Sequence, residues 1–211
     1  MSVLAVVLAA GAGTRFGAGS KLSAPFRGST VLGASLRTAV EAALDETAVV
    51  LTDRPPTTAV PVPPGVTRLV NPRPADGIAS SLQVAVARAA ERGHVALVVA
   101  LGDQPLLEPE AWRRVADAVA PPGDERHPPV APIVFARYGD RRAHPVGLAA
   151  EVWPLLPTTG AHGAGELARL RPDLVGEVPC PGNPVDIDTP ADLARWSTGR
   201  SRAEEGEGSW S

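Results

Sequence analysis

Short runs of apolar residues alternate with segments of helical spacing along most of the chain. The run Val3 to Leu8 is continuous and rich in β-branched residues, which is typical of a strand covered on both faces. A glycine-rich loop follows, and then Val31 to Leu44 has small and apolar residues at helical spacing. Ala48 to Thr52 predicts the next strand. This order of strand, glycine loop, helix and strand indicates an α/β protein.

The same alternation continues to the end of the chain. Prolines between residues 55 and 64 predict a loop, because proline cannot donate to a strand ladder. Further strands are expected at residues 67–70, 94–101, 130–136, 144–148 and 174–178, and further helices at 78–92, 110–119, 165–170 and 190–196. We therefore expect a three-layer α/β fold with a mostly parallel sheet, in a single domain over residues 1–196. Residues 197–211 have the composition of a disordered tail.

Composition narrows the class of protein further. The 211 residues carry a formal charge of −3, which argues against a broad basic surface for nucleic acid or an anionic membrane. No apolar stretch reaches the ~18 residues of a transmembrane helix, and the apolar start lacks the basic residues of a signal peptide. Cys180 is the single cysteine, so no intramolecular disulfide can form. We expect a cytoplasmic protein.

The first candidate site is the glycine-rich loop after the first strand, within Leu8 to Gly17. Glycines let backbone N–H groups approach phosphates closely, and Arg15 and Lys21 add positive charge that suits a triphosphate. Lys21 is the single lysine among 20 basic residues. The alternative is a plain strand-to-helix turn, which accounts for the glycines but not for the two cations.

Two well-known phosphate loops fit this segment poorly. The Walker loop needs a Gly-Lys-Ser/Thr sequence, whereas no glycine directly precedes Lys21. The dinucleotide pattern G-x-G-x-x-G is not met, because Gly11, Gly13 and Gly17 give a spacing that is one residue longer. In addition, no acidic residue is well placed to bind the ribose. A nicotinamide-dependent reductase is therefore the weaker alternative.

Carboxylates form two more candidate sites. Asp103 follows the most hydrophobic strand of the chain. Parallel strands form a crevice at their carboxyl ends, so the carboxylate of Asp103 could bind a hard cation such as Mg²⁺ there. Asp186 and Asp188 stand at i and i+2, so they share one face of an extended segment. One of them can ligate metal while the other supports it. The alternatives are a turn or helix-capping role for Asp103, and capping of the last helix by Asp188 or Thr189.

These motifs and two others follow one another in a specific order. In chain order they are Leu8 to Gly17 with Lys21, Asn71-Pro72 with Gly77 and Ser80-Ser81-Leu82, Gly102-Asp103-Gln104-Pro105, His144-Pro145-Val146, and Asp186 to Pro190. Over residues 3–196 the set resembles the MobA-like nucleotidyltransferases, and most closely their molybdenum cofactor cytidylyltransferases. The resemblance implies a Rossmann-like nucleotidyltransferase that joins the NMP of an NTP to a phosphate-bearing acceptor. It also implies Mg²⁺ as cofactor and pyrophosphate as product.

The resemblance assigns roles to residues by position. It implies catalytic roles for Arg15, Lys21 and Asp103, and metal binding by Asp103 and Asp188. The implied nucleotide-binding set is Leu8, Ala9, Ala10, Gly11, Gly13, Arg15, Lys21, Asn71, Gly77, Ser81 and Asp103. Asp186 and His144 are expected to support the site or to contact the acceptor, although a lone histidine is often structural.

The identity of the substrates rests on smaller differences. Guanylyltransferases of this type carry Leu-Ala-Gly-Gly where this chain has Leu-Ala-Ala-Gly, so Ala10 favours CTP over the alternative, GTP. The expected acceptor is a molybdopterin, whose product would pass to a molybdoenzyme or its maturation factor. Residues 160–166 depart from the Gly-Asp-x-Gly-Ala-Arg segment of the cytidylyltransferases, because the acid and the arginine are both replaced.

Two functions from other classes stay open. Similar proteins include an NAD(P)H-dependent oxidoreductase that acts on a nicotine-derived pigment, and a non-catalytic nucleotide-binding module is also compatible with the motifs. Release of pyrophosphate in the presence of magnesium separates nucleotidyl transfer from both.

Overall fold

The computed structural model describes residues 1–11, 16, 20–53, 60–121 and 128–198. In chain order the strands and α-helices of these ranges are β1 (Val3–Leu8), β2 (Pro25–Phe26), β3 (Ser29–Thr30), α1 (Val31–Glu41), β4 (Glu46–Leu51), β5 (Val66–Val70), α2 (Ile78–Arg92), β6 (Ala96–Leu101), α3 (Pro109–Val119), β7 (Ile133–Tyr138), β8 (Arg141–Ala149), α4 (Ala164–Leu170), β9 (Val175–Pro179) and α5 (Pro190–Ser197). Short 3₁₀ helices lie at Lys21–Ser23, Pro74–Asp76, Ala150–Leu155 and Pro172–Leu174. Residues 55–59 of the expected proline-rich loop and 199–211 of the expected tail lie outside the described ranges.

Seven strands form one sheet in the order β5-β4-β1-β6-β8-β7-β9. β5, β4, β1 and β6 run parallel to one another. β8 is antiparallel to both β6 and β7, and β7 pairs in parallel with β9. The expected mostly parallel sheet is therefore confirmed, with β8 as the reversed strand. The chain moves from β1 to β4 on one side and later to β6 on the other, which creates a crevice at the carboxyl ends of β1 and β6.

Helices cover both faces of the sheet. All six residues of β1 are buried, because alternate side chains enter two separate cores. Val7 lies in the core of the face with α1 and α3, together with Leu36 and Trp112. Val6 lies in the opposite core with Leu82 of α2. This arrangement confirms the three-layer α/β fold; among the described residues, no helix has the length and hydrophobicity of a membrane span.

The element boundaries differ from the expected ones by only a few residues. α1 ends at Glu41 rather than at residue 44, since Ala43 adopts a left-handed conformation with φ 54° that closes the helix. The hairpin of β2 and β3 was not expected, because strands of two residues carry no period. Its turn residues Arg27 and Gly28 both have positive φ, 46° and 77°, as a tight hairpin turn requires.

A polar cluster at the opposite end of the sheet from the crevice ties three elements together. Glu46 accepts hydrogen bonds from Thr67 at 2.9 Å, from Arg88 at 3.0 Å and from His94 at 3.1 Å. Burial alone would raise the pKa of Glu46, but the hydrogen bonds from His94, Arg88 and Thr67 lower it below its ordinary value. His94 was expected to begin a strand; its ring instead serves this cluster, and β6 begins at Ala96.

Candidate active site

The candidate site lies where β1 and β6 end side by side. The backbone ladder continues past both strands, because Gly102 N donates to Leu8 O at 2.9 Å and Ala9 N donates to Val50 O at 2.8 Å. These bonds place Ala9 to Gly11, the described start of the glycine-rich loop, near Asp103. A cleft of about 300 Å³ opens there, at the strand ends where ligands bind in open α/β sheets.

Most of the expected nucleotide-binding residues line this single cleft. The ones found there are Leu8, Ala9, Ala10, Gly11, Lys21, Gly77, Ser81 and Asp103. The lining that was not expected consists of Leu22, Pro74, Ile78, Leu101 and Gly102. Gly13 and Arg15 lie outside the described residues. The structure therefore brings together residues from four separate segments of the chain.

Lys21 lines the cleft and joins two carboxylates, those of Asp103 and Asp188. Its Nζ donates to Asp103 Oδ2 at 2.5 Å and to Asp188 Oδ1 at 2.9 Å. Ile187 N donates to Asp103 O at 2.9 Å, so the segment before α5 is tied to the end of β6. Thr189 makes a capping box with Asp192 and is the N-cap of α5. Because Thr189 caps the helix, the carboxylate of Asp188 is available to Lys21.

The charges in this group reinforce one another. Burial alone would lower the pKa of Lys21, but the charge and hydrogen bond of Asp103, with the contribution of Asp188, raise it above its ordinary value. Lys21 is therefore an ammonium ion at neutral pH. Its side chain is only 14% exposed and that of Asp103 15%, so these charges interact with little screening from solvent.

The oxygen atoms of this group fit a divalent cation. Asp103 Oδ1 is buried and accepts no hydrogen bond from the described residues. Such an oxygen, beside the carboxylate of Asp188, belongs to the donor type that Mg²⁺ and Mn²⁺ prefer. Within the described ranges, no cluster of three or more acidic, histidine or cysteine side chains could hold a metal. A cation bound here would therefore complete its ligand set with phosphate or water oxygens, as Mg²⁺ usually does.

Asn71 lies behind the cleft wall. Its amide nitrogen donates to Ser80 Oγ at 2.9 Å and to Ser81 Oγ at 3.0 Å, and its carbonyl oxygen accepts from Arg73 N at 2.8 Å. The side chain is buried, with 1% of the residue exposed. Asn71 thus holds the start of α2 against the end of β5 and orients Ser81, which lines the cleft. Its expected nucleotide contact stays a prediction.

Gly77 joins the cleft to the altered segment at residues 160–166. Its φ of 86° and ψ of −172° fall in a region that only glycine adopts readily. A Cβ at this position would lie 2.4 Å from Gly160 O. Gly160 also donates to Asp76 O at 2.8 Å and accepts from Ala79 N at 3.1 Å. The segment that departs from the cytidylyltransferase pattern is therefore docked on the rim of the cleft.

A second polar group extends from the cleft toward β8. Gln104 is 2% exposed, and its amide nitrogen donates to Asp186 Oδ1 at 2.9 Å and lies 3.3 Å from His144 Nδ1. Burial, followed by the negative charge of Asp103, raises the pKa of Asp186. Burial lowers the pKa of His144 to about 4, against the opposing effect of Asp103, so its imidazole is neutral. Asp186 and Asp188 both face this region, as their i, i+2 spacing predicted.

Gln104 belongs to the motif Gly102-Asp103-Gln104-Pro105, but the sequence assigned no role to it. Its carbonyl oxygen accepts from Leu101 N at 3.2 Å, which fixes the turn after β6. A buried amide directly after the most hydrophobic strand was the available signal, because buried polar groups need partners. The partners themselves come from residues about 40 and 82 positions away, which no local pattern reveals.

A comparison with protein families identifies the family to which this chain belongs. The family profile described as the MobA-like NTP transferase domain matches residues 5–175. The chain belongs to this family. Membership of the MobA-like NTP transferases supports a nucleotidyltransferase with a nucleoside triphosphate as substrate, and it confirms the resemblance found in the motifs.

Solved structures with the same fold agree with the family. Rv0371c from Mycobacterium tuberculosis H37Rv is 32% identical, with a TM-score of 0.76 over 94% of this chain and 98% of that chain. A complex of Rv0371c with manganese is 30% identical, with a TM-score of 0.71 over 95% of this chain and 100% of that chain. CMP:2-keto-3-deoxy-manno-octonic acid synthetase, solved with CTP, is 15% identical, with a TM-score of 0.66 over 94% and 98% of the two chains. The last likeness shows the fold alone. No curated protein matches the chain.

Proposed function

We propose that this MobA-like protein transfers CMP from CTP to a phosphate-bearing small molecule of the molybdopterin type, in a cytoplasmic, Mg²⁺-dependent reaction that releases pyrophosphate. The observation that carries the proposal is the convergence of Lys21, Asp103 and Asp188 at the cleft lined by Ala9 to Gly11. The product would then pass to a molybdoenzyme or its maturation factor. The following paragraphs give the support for each part.

The residues of the cleft suit nucleotidyl transfer. The loop from Ala9 to Gly11 offers backbone groups to the base and ribose, while Lys21 supplies positive charge for the triphosphate. Arg15, which lies outside the described residues, would add a second cation. Asp103 and Asp188 would hold the metal, which neutralises charge on the triphosphate when it is bound. This division of roles supports a mechanism that depends on positioning and charge rather than on a covalent residue.

The chemical step needs no strong base on the protein. An oxygen of the acceptor phosphate attacks the α-phosphorus of CTP, and the bond from that phosphorus to the pyrophosphate oxygen breaks. The attacking phosphate is already ionised at neutral pH, so no proton has to be removed. His144, whose imidazole is neutral, and Asp186 therefore serve better as partners of the acceptor than as general bases. Their connection through Gln104 supports a shared role on the acceptor side.

The choice of CTP rests on the methyl group of Ala10. This residue lines the cleft beside Ala9, and an alanine is larger than the glycine that guanylyltransferases of this type carry at the position. A smaller pocket favours a pyrimidine over a purine. The acceptor depends on residues 160–166, because Gly160 is docked against the cleft rim and the acid and arginine of the usual segment are replaced.

A ligand panel followed by a turnover assay tests the proposal. Thermal unfolding is measured with CTP, GTP, ATP, UTP and NAD(P)H, each with and without Mg²⁺, because a ligand of the native state raises the unfolding temperature. We expect the largest rise with CTP and Mg²⁺, and pyrophosphate release when molybdopterin is added. A preference for NAD(P)H, or no response to any nucleotide, would overturn nucleotidyl transfer. Turnover with CTP and a different phosphate acceptor would overturn the molybdopterin assignment alone.

A further inference from the structure

The two carboxylates assigned to the metal are already bound by an ammonium group. Lys21 Nζ contacts one oxygen of Asp103 at 2.5 Å and one oxygen of Asp188 at 2.9 Å. An ammonium ion and a divalent cation compete for the same negative charge, since both gain from proximity to these oxygens. The site therefore contains its own cation, supplied by the chain.

We propose that Lys21 is a placeholder cation: it pairs with Asp103 and Asp188 until metal and nucleotide bind together, and it then moves to the triphosphate. The inference rests on the proposed metal-dependent use of an NTP. It adds that the metal binds tightly only when the nucleotide is also present. Metal alone binds weakly because it has to displace the ammonium group. A nucleotide removes this obstacle because its phosphates attract the same group.

The burial of Asp103 explains why a placeholder is needed. Its side chain is only 15% exposed, and a carboxylate buried without a cation is costly. Lys21 Nζ bonds to one oxygen of Asp103 and to one oxygen of Asp188, so its single charge is shared between two carboxylates. Asp103 Oδ1 accepts no hydrogen bond from the described residues and stays open to a second cation. The group is thus stable without metal and still attracts one.

The chemistry of lysine suits such a displacement. An ammonium group is a compact charge on a flexible four-carbon stem, and it can turn between carboxylate and phosphate partners. Lys21 lines the cleft into which the triphosphate is placed. Because its two partners are single oxygens on separate carboxylates, it can leave without breaking a bidentate pair. The coupling between metal and nucleotide must be reciprocal, so each raises the affinity of the other by the same factor.

Binding of Mn²⁺ alone tests the proposal without any turnover. Free Mn²⁺ is measured by electron paramagnetic resonance during titration of wild-type protein, of Lys21→Met, and of Arg73→Met as a matched control. Arg73 is next to the cleft residue Pro74, its side chain is 75% exposed, and it forms an ion pair with Asp76, which is not one of the two metal carboxylates. We expect Lys21→Met to bind Mn²⁺ about tenfold more tightly than wild type, within the usual range of coupling between sites. Arg73→Met should change the affinity less than twofold.

Two further variants keep the test decisive. Loss of the ammonium group can impair folding, so Lys21→Gln, which keeps hydrogen-bond donors without charge, is titrated as well, with circular dichroism to verify folding. Lys21→Arg keeps the charge, so it should bind Mn²⁺ alone no more tightly than wild type does. Addition of a non-hydrolysable CTP analogue should raise Mn²⁺ affinity strongly in wild type.

The outcomes separate this inference from the proposed function. If wild type, Lys21→Met and Lys21→Gln bind Mn²⁺ alone with equal affinity, the placeholder role is overturned, while tight Mn²⁺ binding with the CTP analogue leaves the proposed function standing. If no protein binds Mn²⁺ with or without the analogue, both are overturned. Tighter binding in both neutral variants, but not in Arg73→Met or Lys21→Arg, supports the placeholder.

Discussion

The contact of Gly77 with Gly160 gives the sharpest prediction about the cleft rim. Gly77→Ala places a methyl group 2.4 Å from Gly160 O and 2.7 Å from its carbonyl carbon. Both atoms belong to the backbone, so no side chain can rotate away. The residue must also keep φ 86° and ψ −172°, a conformation that costs a non-glycine residue about 1–3 kcal/mol. Either the backbone of Gly77 or the segment at 160–166 has to move.

The magnitude follows from what such a movement breaks. Gly160 makes two backbone hydrogen bonds here, to Asp76 O at 2.8 Å and from Ala79 N at 3.1 Å. Each is worth about 1 kcal/mol of net stability. We therefore expect Gly77→Ala to lower the free energy of unfolding by about 3 kcal/mol or more.

A matched glycine isolates the steric clash. Gly93 has φ 71° and ψ 24° at the end of α2, and a Cβ there meets no atom within 4 Å. Gly93→Ala should therefore cost only about 1 kcal/mol, the usual penalty of an alanine in the left-handed region. Urea unfolding monitored by circular dichroism compares the two variants with wild type.

Hydrogen exchange supplies a local readout of the same prediction. The amides of Ala79 and Gly160 should exchange faster in Gly77→Ala and at the wild-type rate in Gly93→Ala, because only the first variant separates the docked backbones. The reasoning is refuted if both variants lose equal stability, or if the exchange of these two amides is unchanged in Gly77→Ala.

Three further predictions concern the chemistry and the opposite end of the sheet. Asp103→Asn should lower kcat for pyrophosphate release by about 10²- to 10³-fold with an unchanged circular dichroism spectrum, because a charged group of the site is lost; full activity would remove Asp103 from the mechanism. Ala10→Gly should raise kcat/KM for GTP relative to CTP on the order of tenfold, since one methyl group is removed from the pocket; an unchanged ratio would show that Ala10 does not select the base. The pKa of Glu46 is lower in the folded protein than its ordinary value of about 4.5 in the unfolded chain. The ionised carboxylate therefore stabilises the fold above about pH 4.5, and this stabilisation is lost as the pH falls through the lower pKa of the folded state. Glu46→Gln should therefore cost about 1–3 kcal/mol in urea unfolding at pH 7 and much less at pH 3; an equal loss at both pH values would contradict the assigned charge.

The layers of the fold could be predicted because they depend on local periodicity. β1 and α2 lie at the expected residues, since a doubly buried strand is continuously apolar and a half-buried helix has a clear period. The β2–β3 hairpin has no comparable signal in two-residue strands. The reversed direction of β8 also has no signature in its own residues, because it depends on pairing with both β6 and β7.

The candidate site was predictable as residue types but not as contacts. The end of β6 indicated Asp103, and the fold brings it to Lys21, which lies 82 positions earlier. Asp188 reaches the same ammonium group across 167 positions, a distance at which no spacing rule applies. The indirect roles of Asn71 and Gln104 are likewise set by partners from other elements. Residue chemistry can thus be inferred from sequence, whereas the pairing of charges requires the fold.

The pairing gives a physical reason for a single lysine in an arginine-rich chain. Arg171 holds Asp173 with three hydrogen bonds, and Arg88 holds Glu46 through its guanidinium fork. Such forks fix one carboxylate in one geometry. Lys21 instead bonds to one oxygen on each of two carboxylates and leaves Asp103 Oδ1 unpaired among the described residues. A fork would hold these oxygens more firmly and would be harder for a metal to displace. Lysine therefore suits the position where a cation stabilises the free site and is then released to the substrate.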